Sequence, residues 1–247
     1  DYLESINLSE LTILQHMYVE GNNVLETLDV GNYQMLDNGS FYFAQNPTLT
    51  TIDFSSLELI KDGNFIVSDN TSLMNMLVPS LTMVQDSTVQ FWSLPSISDL
   101  DLSALNIIEG GYTFVGDMLN LTNMDIQSLE KISGGAYVSI QSNETLQYLG
   151  APLLSDIEGT FELYNNQQVT EYNFPGLKNI LSGALYVSLA PSLTSFDLSS
   201  LENMSQAALV FYQTGLTVIE LYSLLNVSYY SQIQVYDNDQ LTKLVIG

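Results

Sequence analysis

Aromatic side chains recur at fixed places in a repeating pattern, and their spacing makes them the best candidates for a binding surface. Each repeat unit begins with a residue that is usually glycine. Three residues after this start the residue is aromatic in three units, at Tyr42, Phe114 and Tyr186. Five residues after the start of the unit the residue is aromatic in four units, at Trp92, Tyr164, Tyr212 and Tyr236. Both places alternate with apolar residues, so we expect these side chains to form an outward stripe. Such a stripe suits a sugar or a protein partner. The alternative is that aromatic residues simply fit strands.

A column of carboxylates is the second candidate, and its chemistry would be the binding of a hard cation. It consists of Asp29, Asp53, Asp101, Asp125, Asp197 and Glu220. Carboxylates stacked about 5 Å apart repel each other, and calcium, which prefers oxygen ligands, would relieve that repulsion. The repeat motif typical of calcium-binding coils is missing, however. We therefore predict a solvated acidic row, with no metal site and no cofactor.

The residues that catalysis on glycans requires are scarce in this chain. Glycosidases need two carboxylates across the sugar bond, and lyases usually need a base near the sugar. The only bases are Lys61, Lys131, Lys178 and Lys243, spread along the chain, and His16 is the single histidine. We predict a protein that is not an enzyme, and keep a glycan-active enzyme as the third hypothesis.

The element that positions all these residues is a repeat of about 24 residues. Each unit closes with an apolar residue, and successive residues of this kind lie 23 to 25 positions apart in the chain. They are Ile60, Val84, Ile108, Ile132, Ile157, Ile180, Met204 and Val227. A unit of this size cannot bury its own apolar face and must stack on its neighbours, which predicts a solenoid.

Each unit contains two stretches of period-two alternation, as at Phe65 and Val67 and again at Ile52 and Phe54. Such alternation predicts strands with one buried face, and no window supports a helix of ten or more residues. We therefore predict an all-β fold, a parallel β-helix or solenoid of about ten coils spaced about 4.8 Å apart. A single repeat domain covers 1–247, with a degenerate first coil at 1–14 and regular coils over 15–247.

Two residue types mark the corners between strands. Asparagine recurs at one turn, where it is expected to adopt a left-handed backbone and to stack as a ladder; the positions are Asn46, Asn70, Asn143, Asn166 and Asn238. Glycine opens several units, where a positive φ is expected; the positions are Gly39, Gly63, Gly111, Gly159 and Gly183.

The charge balance excludes several classes of partner. The 247 residues hold 4 Lys and Arg against 28 Asp and Glu, a net charge of −24, yet only 13% of residues are charged. Nucleic acids and anionic membranes both require clustered basic residues, so neither is expected as a partner. There is no cysteine, which excludes a disulfide framework and a thiolate metal site.

Sequons for N-glycosylation favour an extracellular protein. They occur at Asn7, Asn38, Asn70, Asn120, Asn143, Asn203 and Asn226. No signal peptide, membrane-spanning run or lipid-anchor tail is found in the sequence, so a secreted protein would be represented here in mature or trimmed form.

The residue pattern of the units resembles the receptor L-domain repeat. It reads Leu-x-x-Ile-x-x-Gly-x-φ-x-φ-x-x-Asn-x-x-Leu, where φ is an apolar residue, and includes Phe-Pro-Gly-Leu at 174–177. Over nearly its whole length the chain is similar to fungal GPI-anchored cell-wall glycoproteins built from that repeat, and also to surface leucine-rich repeats of about 23 to 24 residues. The resemblance implies a receptor L-domain-like fold and a surface protein that supports wall organisation. The family's flanking cysteines and anchor signal are absent, so a GPI anchor is implied by the resemblance only.

Together these observations predict a non-enzymatic extracellular glycoprotein of the cell surface or cell wall, acting in wall organisation or adhesion through a repeat-built face. Its partners would be a cell-wall glycan or a surface protein. The alternative is a structural subunit of an extracellular filament or layer, which would associate end to end through open solenoid ends.

Overall fold

The computed structural model describes residues 3–247, which form an all-β solenoid of parallel strands without a helix. Each turn of the chain contributes one strand to each of three faces. Two faces are continuous sheets, and the third is divided into four short sheets. The fold class predicted from the repeat is therefore confirmed.

The strands of each face follow one another along the solenoid axis. The ten-stranded sheet consists of β2 (His16–Glu20), β5 (Ser40–Ala44), β8 (Asn64–Ser68), β11 (Thr88–Trp92), β14 (Tyr112–Gly116), β17 (Tyr137–Gln141), β20 (Thr160–Tyr164), β23 (Ala184–Ala190), β26 (Ala208–Thr214) and β29 (Gln232–Tyr236). The nine-stranded sheet consists of β4 (Met35–Asp37), β7 (Leu59–Lys61), β10 (Met83–Gln85), β13 (Ile107–Glu109), β16 (Lys131–Ser133), β19 (Asp156–Ile157), β22 (Asn179–Leu181), β25 (Asn203–Ser205) and β28 (Asn226–Val227). The third face consists of β1 (Ser5–Asn7), β3 (Thr27–Asp29), β6 (Thr51–Asp53) and β9 (Asn75–Leu77); β12 (Asp99–Asp101) and β15 (Asn123–Asp125); β18 (Tyr148–Gly150), β21 (Glu171–Asn173) and β24 (Ser195–Asp197); and β27 (Val218–Leu221) and β30 (Lys243–Ile246).

The register of the sheets reproduces the sequence period. In the ten-stranded sheet Asn64 pairs with Thr88, and Thr88 pairs with Tyr112, each partner lying one full repeat unit further along the chain. The next pairings, Tyr112 with Tyr137 and Tyr137 with Thr160, absorb one added and one missing residue. Corners take up these differences, so the stacked columns of side chains stay aligned across the irregular turns.

The core lies inside the three faces and is filled by the inward residues of every strand. Phenylalanine is concentrated in two clusters, in which neighbouring ring centroids lie 5.2 to 6.5 Å apart. Aromatic pairs attract each other at this spacing. One cluster contains Phe41, Phe43, Phe54, Phe65 and Phe91. The other contains Phe161, Tyr172, Phe174, Phe196 and Phe211.

Between the two aromatic clusters the core is less completely filled. Val89, Thr113 and Val138 occupy the inward place that phenylalanine holds in the neighbouring clusters, and they line an apolar cavity of about 20 Å³. The Thr113 hydroxyl is buried there and has no hydrogen-bond partner. A buried hydroxyl without a partner costs stability.

The predicted asparagine ladder is present and holds one corner of the solenoid together. The Asn46 backbone N–H donates to Asn70 Oδ1 at 2.9 Å, and the Asn46 side-chain amide donates to the carbonyls of Val19 and Ala44. Leu94 and Met118 interrupt the column, and a second stretch of the ladder begins where the Asn143 backbone N–H donates to Asn166 Oδ1 at 3.1 Å. The expected left-handed backbone does not fall on these asparagines; it falls on the residue before each of them: Gln45, Asp69, Ser142, Asn165 and Asp237.

The reason for glycine at the unit starts also differs from the expectation. Among the five unit-opening glycines only Gly111 has a positive φ. At Gly39 an added Cβ would lie 2.2 Å from the carbonyl oxygen of Gln15, and at Gly183 it would lie 1.8 Å from that of Gly159. Glycine is needed there because the backbone of the preceding turn passes too close for a side chain.

Replacing Thr113 with valine should raise the free energy of unfolding by about 1 to 2 kcal/mol, because an unpartnered buried hydroxyl becomes a methyl group of similar shape. Urea denaturation monitored by circular dichroism measures the change. The reverse replacement at the adjacent inward position, Val89→Thr, is the control and should lower stability. A Thr113→Val protein less stable than the parent would contradict this account.

Replacing Asn46 with alanine should lower the free energy of unfolding by about 2 kcal/mol or more, because buried carbonyls lose their donor. Asn64→Ala is the matched control. The Asn64 amide is exposed and makes one hydrogen bond, to Ser40 Oγ at 3.1 Å, so its loss should change stability by less than about 0.5 kcal/mol. Equal effects of the two substitutions in urea denaturation would argue against the ladder as a stabilising element.

Candidate functional site

The outer face of the ten-stranded sheet carries all the aromatic residues singled out in the sequence. In each of its strands the first, third and fifth residues point outward, and the register stacks them into three columns along the solenoid axis. The third-residue column contains Tyr42, Phe114 and Tyr186, and the fifth-residue column contains Trp92, Tyr164, Tyr212 and Tyr236.

These aromatic residues are divided into local groups and do not form one continuous stripe. Tyr212 and Tyr236 stack with ring centroids 4.8 Å apart, and the ring of Tyr42 lies 6.5 Å from that of Tyr18. Tyr164 and Tyr236 are exposed, whereas the other five predicted residues are half-buried against their neighbours. All seven residues therefore lie on the outer side of the sheet but in separate groups, and neighbouring side chains in and between the columns cover part of the five half-buried rings.

The largest group lies at the middle of the sheet and joins two strands. The ring of Tyr112 is stacked with that of Phe114 on β14 at 6.0 Å, with 20° between their planes. The same Tyr112 ring lies 5.6 Å from the ring of Tyr137 on β17. We call Tyr112, Phe114 and Tyr137 the aromatic platform.

A glycine makes room for one edge of the aromatic platform. Phe114 leans along its own strand over Gly116, where an added Cβ would lie 2.6 Å from the Phe114 ring. The same Cβ would lie 2.9 Å from the carbonyl oxygen of Gln141 on the next strand. The missing side chain therefore lets the ring cover the outer surface of the sheet.

Glu162 adds a carboxylate to the edge of the aromatic platform. Its Oε2 accepts hydrogen bonds from the Tyr137 hydroxyl at 2.7 Å and from Ser139 Oγ at 3.0 Å. In register, Tyr186 is the direct neighbour of Glu162 on the next strand. Within residues 3–247, Glu162 Oε1 accepts no hydrogen bond, so it is available to a hydroxyl-bearing ligand.

The tyrosines of the aromatic platform are held in the neutral form. Burial raises the pKa of Tyr137 well above its ordinary value, and the hydrogen bond and negative charge of Glu162 raise it further. The pKa of Tyr112 is raised in the same way, first by burial and then by Glu162. Both hydroxyls therefore remain hydrogen-bond donors at neutral and moderately alkaline pH.

Sequence reasoning missed three residues of this site. Tyr112 and Tyr137 follow the first residue of their units, so the alternation that located Phe114 also places them outside. Glu162 occupies the same column as Phe114 and Tyr186, but a single carboxylate gave no signal. Only the stacking of turns shows that Tyr137, one turn earlier, donates to it.

The outer face of this sheet is almost free of charge. Among the outward positions of its strands, as far as the structure describes them, the ionisable carboxylates are Glu20 and Glu162, and His16 lies on the first strand. Within residues 3–247 the other carboxylates lie outside these positions. The outer side of this sheet therefore carries little charge, and aspartates such as Asp69 and Asp117 lie at the corners that directly follow its strands.

The predicted acidic row has a structural role that the sequence did not reveal. Asp29, Asp53, Asp101, Asp125 and Asp197 each accept a hydrogen bond from the backbone N–H two residues later, at 2.8 to 3.0 Å. This is the turn-closing bond that aspartate makes with its own chain. Glu220, whose side chain is longer, accepts from the Tyr222 hydroxyl.

The sequons differ sharply in accessibility. Asn7, Asn38, Asn120 and Asn226 are exposed, and Asn203 is half-buried. Asn70 and Asn143 are completely buried, and their side-chain amides donate to the carbonyls of Phe43 and Val115 within the asparagine ladder. The prediction of glycans at Asn70 and Asn143 is therefore wrong for the folded chain, because both amide nitrogens lie inside it.

Other predicted residues lie apart from the aromatic platform. Lys131 forms an ion pair with Glu158 at 2.9 Å, and Lys61, Lys178 and Lys243 lie on other turns. Over residues 3–247 there is no group of three or more His, Cys, Asp or Glu placed to hold a metal ion. The same residues contain no helix with the length and hydrophobicity needed to cross a membrane.

Comparisons with known proteins assign no family to this chain. No protein-family model and no curated protein matches the sequence. Among solved structures, the pneumococcal vaccine antigen PcpA aligns over 96% of this chain and 84% of that chain, with 12% identity and a TM-score of 0.15. A score this low carries no argument about function, so the site must be interpreted from its own chemistry.

The raised pKa of Tyr137 predicts a pH dependence that can be measured. The parent and the Tyr137→Phe variant are each titrated and followed by ultraviolet absorbance. The difference between the two curves should show one tyrosine that ionises above the ordinary pKa of about 10. Glu162→Gln should lower that pKa, because it removes the negative charge. Since the folded-state pKa is raised, the contribution of Tyr137 to stability is complete below pH ~10 and is lost as the pH rises through the folded-state value. An unshifted titration of Tyr137 would contradict the geometry.

Proposed function

We propose that this protein is a non-enzymatic extracellular glycoprotein of the cell surface or cell wall, which binds a glycan through the aromatic platform. The observation that carries the proposal is a cluster of three aromatic rings in which the Tyr137 hydroxyl donates to Glu162, on a face that is otherwise nearly uncharged. Rings present apolar surface to the C–H faces of a sugar, while a carboxylate oxygen and tyrosine hydroxyls suit its hydroxyl groups.

The arrangement of Glu162 supports binding in preference to catalysis. Hydrolysis of a glycosidic bond ordinarily uses two carboxyl groups on opposite sides of the bond. Glu162 is the single carboxylate among the outward residues of β14, β17, β20 and β23. Its Oε2 is occupied by Tyr137 and Ser139, which fixes the orientation of the carboxylate beside the rings.

The surface as a whole supports an extracellular location. Exposed sequons at Asn7, Asn38, Asn120 and Asn226 leave sites for glycans on corners and strands outside the aromatic platform. A surface poor in lysine and arginine disfavours nucleic acid as a partner. The repeat pattern, which resembles that of fungal cell-wall glycoproteins, agrees with a role in wall organisation. The glycan would then be a component of the wall.

Loss of the aromatic platform should weaken binding to wall polysaccharide. In a pull-down with insoluble cell-wall glycan, a Tyr112→Ala, Tyr137→Ala double variant should bind at least about tenfold less than the parent, which corresponds to about 1.4 kcal/mol. Tyr148→Ala is the matched control, because Tyr148 is an exposed tyrosine on the third face.

The control variant should bind like the parent, and circular dichroism should show that both variants keep the fold. Equal binding by the parent and the double variant would refute the aromatic platform as the binding site. Glu162→Gln separates the two contributions, since it keeps the rings and removes only the negative charge beside them.

A further inference from the structure

We infer that the outer side of the nine-stranded sheet binds a cationic amphipathic helix of a partner protein, through a column of aliphatic side chains bordered by carboxylates. This surface lies on a different face from the aromatic platform, so the inference is independent of glycan binding. It follows from aliphatic residues that stack over successive turns, from the polar residues that replace them further along, and from the charges on both sides.

An aliphatic residue occupies the first place of the strand in successive turns of the nine-stranded sheet. Met35 pairs with Leu59, and Leu59 pairs with Met83. Met83 in turn pairs with Ile107. Ile13, which lies before them in the chain, borders the same surface groove as Met35. We call Ile13, Met35, Leu59, Met83 and Ile107 the aliphatic column. Five turns spaced about 4.8 Å apart give it a length of about 19 Å.

The aliphatic column faces outward. In its strands the middle residue, such as Leu36, is buried in the core, and the first residue points to the opposite side. Ile13 is 83% exposed and Met35 is 48% exposed, and the other three members are half-buried. A contiguous apolar strip on the surface, bordered by polar residues, is typical of an interaction site.

The fold does not require aliphatic side chains at these positions. In later turns the same column contains Lys131, Asp156, Asn179 and Asn203. Lys131 forms its ion pair with Glu158, and the Asn203 amide donates to Asn179 Oδ1 at 2.7 Å. Polar side chains are therefore compatible with the stacked strands, so strand formation alone does not explain five successive aliphatic residues.

Carboxylates border the aliphatic column on both sides. The strands run across the column, so residues that precede and follow it in the chain lie on its two sides. The carboxylates are Glu58 on one side and Asp37, Asp62, Asp86 and Glu109 on the other. All five are exposed or half-buried, and Lys61 is the only lysine or arginine in residues 3–130. An apolar strip with a negative border is complementary to an apolar strip with a positive border.

The position of the carboxylates favours a helix over an extended strand as the bound segment. A strand points alternate residues in opposite directions, so basic residues beside its apolar ones would point away from the surface. An amphipathic helix carries polar residues on both sides of its apolar stripe, and lysine and arginine are long enough to reach past it. About 13 residues of helix would cover the 19 Å of the column.

The same charges disfavour a second copy of this chain as the occupant. Two aliphatic columns packed face to face would bring their negative borders together, and like charges across an interface repel. The net charge of −24 on each copy adds to that repulsion. A basic partner meets the opposite situation on both counts.

The test measures binding of fluorescently labelled synthetic peptides to the intact protein by fluorescence anisotropy. The main probe is a helix of about 14 residues with leucine along one face and lysine elsewhere. Three comparison peptides each change one property: alanine replaces leucine, glutamate replaces lysine, or the same residues alternate strictly and form a strand. The leucine–lysine helix should bind at least about tenfold more tightly than the alanine and glutamate peptides, and at least about fivefold more tightly than the alternating one.

A double variant, Leu59→Asn, Met83→Asn, tests the aliphatic column itself. Asparagine already occupies this column at Asn179 and Asn203, so we expect the variant to fold, which circular dichroism checks. It should bind the leucine–lysine helix at least about fivefold more weakly than the parent. Leu119→Asn is the matched control, because Leu119 is an exposed leucine at a corner outside the column; it should bind like the parent. Binding to wall polysaccharide should be unchanged in both variants.

Several results would overturn the inference. Equal binding of the helix by the parent and the double variant would exclude the aliphatic column as its site. Equal binding of the alanine peptide would show that charge alone holds the helix, and equal binding of the alternating peptide would exclude the preference for a helix. Light scattering of the protein alone completes the test, because a dimer that the double variant abolishes would assign the column to a second copy.

Discussion

Parallel pairing of each turn with the next turn along the axis is the interaction on which the whole molecule depends. A single unit has three short strands and an apolar interior that it cannot cover alone. Only stacking buries that interior and satisfies the backbone hydrogen-bonding groups of the strands at the same time. The surface columns exist for the same reason, because residues that share a place in successive units are brought side by side.

The corners show how this register is kept under close packing. Asn46 and its equivalents link the backbone of one turn to the side chain of the next, and aspartates such as Asp53 close the turns within a unit. At Gly39 and Gly183 the preceding turn approaches too closely for any side chain. Asparagine, aspartate and glycine are thus used at the corners for three separate physical reasons, and none of the three involves a ligand.

The separation of charge from aromatic surface is the feature with the clearest functional consequence. Carboxylates occupy corners and the outer sides of the two faces with the shorter strands, while the ten-stranded sheet is left nearly uncharged. Its longer strands offer the widest surface of the solenoid. The rings of Tyr112, Phe114 and Tyr137 cluster there, and the Tyr137 hydroxyl donates to Glu162. The glycan that we propose as ligand would therefore meet a surface of rings that carries little charge.

Local alternation along the chain determined the parallel β-solenoid, its period, and which side of each strand faces inward. These properties could be predicted because burial repeats at every second residue within a strand and once per repeat unit between turns. What the alternation could not determine was how side chains from different turns meet. The contact of Tyr137 with Glu162 and the burial of Asn70 and Asn143 depend on distances between stacked strands and their side chains. Only the tertiary structure decided these, because stacking joins residues a whole repeat unit apart whose side chains have no relation along the chain itself.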